Sequence, residues 1–184
     1  MRKLSMQELN RLDAKEFRSV EKTPVVVVLD NVKSMNNIGS VFRTCDAFRI
    51  EAIYLCGFTA TPPHREIHKT ALGATESVGW KYFKETRQAL EELKENGYLL
   101  IALEQTDKSI LLNNYQPDCK SRSALIFGNE VKGVHQEVLD MCDLALEIPQ
   151  YGTKHSFNIA VSAGIVLWDL FVKINFPSNN KGAA

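Results

Sequence analysis

The chain has no excess of charge of either sign. Lys and Arg together number 22, and so do Asp and Glu. Net charge therefore points to no nucleic-acid or membrane partner, and any basic surface has to be local. Cysteine is scarce: Cys45, Cys56, Cys119 and Cys142 show no C-x-x-C spacing, and three of them lie within apolar runs. They read as reduced, mostly buried thiols of a cytosolic protein rather than a disulfide framework. No apolar block near the N-terminus marks a signal peptide. The longest apolar stretch, 157–172, is interrupted by Asn158, Ser162 and Asp169, and falls short of a membrane span. There is no G-x-G-x-x-G after the first apolar run and no G-x4-G-K-[ST], which disfavours a standard dinucleotide fold and a phosphate-binding P-loop. Internal repeats and low-complexity segments are absent too.

What remains, 184 residues with an apolar fraction of 45%, suffices for one domain with a full core. Val25-Val26-Val27-Val28-Leu29 is a continuous β-branched run, as in a parallel strand buried on both faces. Further strands are expected at 52–55, 78–83, 98–103, 123–127 and 144–148. Between them, the spacing predicts a helix from Ile38 with Asn37 as its cap, and a short helix through Ile67 and Ala71 ending at Gly73. An amphipathic helix is expected over 86–96, a short one over 135–141, and a long apolar one after Ser156 and Asn158. The segment 111–119 reads as a loop with a helical turn. Ser5 and Glu8 fit a capping box, so a charged helix is expected from about Met6 to Arg18. Strands alternating with helices predict an α/β fold with a mostly parallel sheet and helices on both faces. The expected organisation is an N-terminal helical arm over 1–24, one domain over 25–174 and a frayed tail over 175–184.

In open parallel sheets, ligands bind beyond the C-terminal ends of strands. Three turns placed there carry unusual residues: Asn37-x-Gly39-x3-Arg43, Gly128-Asn129-Glu130-x2-Gly133 and Gly152-x3-Ser156-x-Asn158. Each has an ordinary explanation. Asn37 and Ser156 suit helix caps, Arg43 and Glu130 suit solvated charges, and the glycines suit turns. Their recurrence after strands favours a single site. Two glycines around Glu130 would let backbone approach a ligand.

The segments NNIGSVFRTCDAF, LIFGNEVKGV and IPQYGTKHSFNIAVSA resemble, in order, the three motifs of the SpoU/TrmH family of the SPOUT class, RNA ribose 2′-O-methyltransferases. The resemblance spans about 25–170. It implies a SPOUT-type fold with a C-terminal deep trefoil knot, which chain-level rules would make very improbable. It also implies S-adenosylmethionine as cofactor and a homodimer whose site draws on both subunits. It places Gly128, Ile148 and Phe157 around the methyl donor, with Phe157 standing where the family usually has Leu. Asn37, Arg43, Glu130, Ser156 and Asn158 fall at the reacting end. Arg43 corresponds to the family's catalytic arginine. A guanidinium is almost never deprotonated in proteins, so phosphate binding and orientation are its expected first role, with Asn37 orienting it; activation of the hydroxyl by proton removal is the second and would need an unusual environment.

The pair His64-x3-His68 has helical metal-ligand spacing, but no Cys or carboxylate set completes it, so no metal is expected. Arg65, His68 and Lys69 read either as solvated loop charges or as contacts to RNA phosphates, and the apolar C-terminal helix is expected to serve as core and dimer interface. The expectation is thus a cytoplasmic, S-adenosylmethionine-dependent RNA 2′-O-methyltransferase with no membrane association. A non-catalytic RNA-binding paralogue is the alternative. Only 24 residues precede the motif core and the chain is neutral, so transfer RNA is favoured over ribosomal RNA as substrate.

Overall fold

The protein's computed structural model describes residues 1–177 apart from Met6 and Cys119. Seven strands form one sheet: β1 (Thr23–Asp30), β2 (Ile50–Cys56), β3 (Gly79–Phe83), β4 (Tyr98–Leu103), β5 (Ile110–Leu111), β6 (Arg122–Phe127) and β7 (Leu144–Glu147). Their order is β3-β2-β1-β6-β4-β7-β5, and every ladder between them is parallel. The helices are α1 (Ala14–Ser19), α2 (Met35–Ala47), α3 (Arg65–Ala71), α4 (Ala74–Ser77), α5 (Thr86–Glu95), α6 (Gln136–Leu139) and α7 (Ile159–Asn175).

The unbroken valine run of β1 follows from its place in the middle of the sheet, where both faces are covered. Val25, Val27 and Leu29 pack against Ile38 and Phe42 of α2, Ile67 of α3 and Leu167 of α7. Val26 and Val28 face the other way, onto Leu90 and Leu93 of α5 and Val138 of α6. Each of these buried side chains contributes about 1.5–3 kcal/mol of apolar burial. The order along the sheet is interleaved. β6 lies between β1 and β4, and β7 lies between β4 and β5, so the loops after β1, β4, β6 and β7 converge at one end of the sheet.

The structure differs from the sequence-based expectation at several ends. Ser5 and Glu8 do exchange the bonds of a capping box, but Asn10 turns left-handed (φ 43) and no helix follows. The helix begins instead at a second box, in which Asp13 accepts from the Glu16 N–H and Glu16 accepts from the Asp13 N–H. Its Phe17 is only 5% exposed, so the arm does join the core. The segment read as a loop with a helical turn opens with β5, an edge strand on β7. Met6, Cys119 and most of the expected tail, 178–184, lie outside the described residues. Cys45, Cys56 and Cys142 are free thiols; burial pushes the last two up to about 12.

Candidate active site

Glu130 ties the first two loops together. Its carboxylate accepts from the backbone N–H groups of Lys33 (3.0 Å) and Ser34 (2.9 Å) and from the Asn37 side-chain amide (3.2 Å). These donors sit at the start of α2, where helix N–H groups lack intrahelical partners and the helix dipole favours an anion. Burial raises the Glu130 pKa, but the N–H groups of Lys33 and Ser34 outweigh it, with help from Asn37, and hold the group below its ordinary value. It is a poor proton acceptor and a good anchor.

The helix cap itself is Ser34, whose Oγ accepts from the Asn37 N–H, rather than Asn37 as the sequence suggested. Asn37 is thereby free to bridge: its Oδ1 accepts from the Asn158 side-chain amide at 3.2 Å. Asn158 in turn caps α7, accepting from the Ala160 N–H at 2.9 Å, where Ser156 had been the alternative. One chain of bonds therefore runs from the loop after β6, through the start of α2, to the start of α7. Asn129 adds a strut, donating to the Asn31 carbonyl at 2.8 Å.

This network borders a cleft of about 940 Å³ lined by the loops after β4, β6 and β7. Gly128, Ile148 and Phe157 all line it, as do Glu130, Ser156 and Asn158. The Ser156 hydroxyl makes no hydrogen bond among the described residues. Apolar walls come from Leu103, Val134, Leu139 and Ile159, and carboxylates from Glu104, Asp107, Glu130 and Glu147 against one lysine, Lys132. Gly128 and Gly133 both line the cleft, and each also permits a close approach within the protein. A Cβ on Gly128 would overlap the backbone of Gly133 and Val134, so this glycine lets the loop close on itself. Gly133 takes φ 66, and a Cβ there would overlap the Glu104 carboxylate.

Arg43 stands apart. It is exposed on α2 and makes no hydrogen bond or ion pair among the described residues. Six residues along a helix place it about 9 Å from Asn37. Asn37, bonded to Glu130 and Asn158, does not orient it within this chain. α2 is pressed against α3: a Cβ on Gly39 would overlap Thr70 and the Ile67 carbonyl, and the Thr70 hydroxyl donates to the Asn36 carbonyl at 3.0 Å. Arg65, His68 and Lys69 are exposed on α3. His64 Nδ1 accepts from the Glu66 N–H as the α3 cap. Sequence reasoning missed the loop after β4. Its Glu104, Gln105, Thr106 and Asp107 line the cleft, yet they read as an ordinary polar turn. The available signal was their position after the all-apolar run 98–103.

The family described as SpoU rRNA Methylase matches residues 24–168. A 23S rRNA (guanosine-2′-O-)-methyltransferase of Neisseria meningitidis is 31% identical over 151 residues, 82% of this chain and 59% of that protein. A tRNA (guanosine(18)-2′-O)-methyltransferase of Aquifex aeolicus is 30% identical over 167 residues, 89% of this chain and 75% of that protein. The chain thus spans well under two thirds of the Neisseria protein. Among solved structures, the A. aeolicus TrmH/SpoU tRNA modifying enzyme superposes with a TM-score of 0.75 at 26% identity, covering 87% of this chain and 81% of that one. An AdoMet-bound rRNA methyltransferase from Sinorhizobium meliloti gives 0.75 at 26% identity, covering 84% and 59%.

Proposed function

The chain belongs to the SpoU rRNA Methylase family, and from that premise we propose that it transfers a methyl group from S-adenosylmethionine to a ribose 2′-hydroxyl of RNA. The observation that carries this reading is the bonded network Glu130–Asn37–Asn158, set on the rim of a cleft lined by Gly128, Ile148, Ser156 and Phe157. The cleft fits the donor on its own terms. Its volume lies in the range of small-molecule sites, its apolar walls suit an adenine ring, and its surplus of carboxylates suits a sulfonium cation. Phe157, 41% exposed, gives the adenine wall a flat aromatic face. Bound there, S-adenosylmethionine supplies an electrophilic methyl group.

The protein's own residues hold and orient. Glu130 and Asn37 fix the start of α2, and Asn158 fixes the start of α7. Ser156 offers a hydroxyl to the ribose. Arg43 binds the neighbouring phosphate and aligns the 2′-oxygen with the methyl carbon, since alignment is what a poor nucleophile most needs. Because Arg43 lies apart from the network of its own chain, its place is in the site of a second copy. A homodimer supplies one. Trp168 of α7 and Phe176, the residue just after it, are 56% and 65% exposed and form an aromatic group with Phe48 and Phe171, a surface suited to a partner helix. The interleaved strand order supports the trefoil knot, and a cytoplasmic place of action goes with an RNA substrate. Relatives named for ribosomal and for transfer RNA are matched almost equally; of the two, transfer RNA is our choice.

The test is transfer of labelled methyl from S-adenosylmethionine to size-fractionated cellular RNA, followed by nuclease digestion. Label in a nuclease-resistant dinucleotide from the transfer-RNA fraction is the expected result. Label only in ribosomal RNA would reverse the substrate choice. Label in a base, or none with the donor bound, would overturn the 2′-O reading.

A further inference from the structure

Glu104 immediately follows β4 and lines the cleft, half-buried, yet nothing in the proposed reaction employs it. Its two carboxylate oxygens each take one backbone donor: Oε2 from the Val134 N–H at 2.9 Å and Oε1 from the Gln105 N–H at 3.0 Å. A carboxylate has about four lone-pair positions, so each oxygen keeps one to offer. Gly133, without a Cβ, leaves the space that the carboxylate fills. The other acids of the cleft are less suited to a ligand. Glu130 already holds three donors at the start of α2, Glu147 accepts from the Ser109 hydroxyl at 2.7 Å, and Asp107 is exposed.

We infer that Glu104 binds the ribose of the methyl donor, its two oxygens accepting from the 2′- and 3′-hydroxyls. The inference rests on the reading of the cleft as the donor site. The chemistry is that of a fixed acidic residue beyond a parallel strand meeting a vicinal diol, as in other nucleoside sites on parallel sheets. Here the acid is fixed from behind by two backbone N–H groups, so its geometry is set before the ligand arrives.

Calorimetric titration of the full chain tests this with three ligands: S-adenosylhomocysteine, its 2′,3′-dideoxy analogue, and 5′-methylthioadenosine, which keeps the diol but lacks the amino-acid part. Wild type is expected to bind the parent about 10- to 100-fold more tightly than the dideoxy analogue, the range for hydrogen bonds to a charged group. E104Q should shrink that ratio to within about threefold and weaken 5′-methylthioadenosine by the same factor as the parent. E104D, which retains the charge one methylene back, should fall between. Equal affinity of wild type for parent and dideoxy analogue would overturn the inference, and needs no variant to fold. Equal weakening of both by E104Q would also overturn it, making Glu104 a loop tie only. Loss confined to the ligand with the amino-acid part would place the ammonium group there instead. Binding of none of the three by wild type would sink the donor-site reading itself, and this inference with it.

Discussion

The two loops that flank the cleft are built in opposite ways. The loop after β6 is tied at both ends: Asn129 bonds Asn31, Glu130 bonds the start of α2, and Gly128 folds it onto its own return at Gly133. The loop after β7 is open. Every residue from Tyr151 to Asn158 is exposed, Tyr151 at 96%, and its ties to other loops are both in its C-terminal part, where the Gln105 amide donates to the His155 carbonyl and the Asn158 amide donates to Asn37. The difference separates a wall whose geometry is preorganised from a wall whose side chains are left open to solvent. Preorganisation matters where geometry sets the rate, and openness matters where a ligand must enter.

That contrast breaks most severely at Gly128. A Cβ there would meet backbone rather than a flexible side chain, so G128A should cost about 1–3 kcal/mol in urea unfolding, as overpacking does. It should also weaken S-adenosylmethionine binding more than any substitution in the open loop. Unchanged stability would mean that the tied loop is slack. Next comes E130Q. It keeps the shape but loses the charge at the start of α2, and should cost about 1 kcal/mol. The same tie predicts an acid limb. The Glu130 pKa lies below its unfolded value, so its contribution is full above about pH 4.3 and fades as pH falls through the lower, folded value. In E130Q this portion of the acid-induced loss should vanish. The smallest effect is expected in the open loop, where Y151A should change stability by less than about 0.5 kcal/mol. A larger loss would show that the loop is packed after all.

Much of this was legible in the sequence because it is written in local chemistry. The valine run of β1 and the apolar strand 98–103 announce a buried parallel sheet, and the three polar turns point to one end of it. What was not legible depends on which loops meet. Ser34 and Asn158, rather than Asn37 and Ser156, became the caps, because Glu130, nearly a hundred positions away, claims the start of α2 and Asn37 bridges onward. That Gly128 and Gly133 also make room for Val134 and Glu104 was not legible, because those neighbours are set by how the loops meet. For Glu104 the sequence offered only its position after the apolar run 98–103, since its partner Val134 lies thirty residues on, in the loop after β6. At the N-terminus, Ser5 and Glu8 form the expected box without a helix, because the turn at Asn10 intervenes.

The role we propose for Arg43, exposed and apart from the network of its own chain, is to align the ribose hydroxyl for methyl transfer. The measurement that tests it most directly compares wild type with R43A for methyl transfer to RNA and, on the same samples, for S-adenosylmethionine affinity. R43A is expected to lose transfer by at least about 100-fold, on the scale of a positioning group, while donor affinity and unfolding midpoint stay unchanged. Undiminished transfer by R43A would contradict it, because the reaction would then proceed without the residue assigned to align its nucleophile.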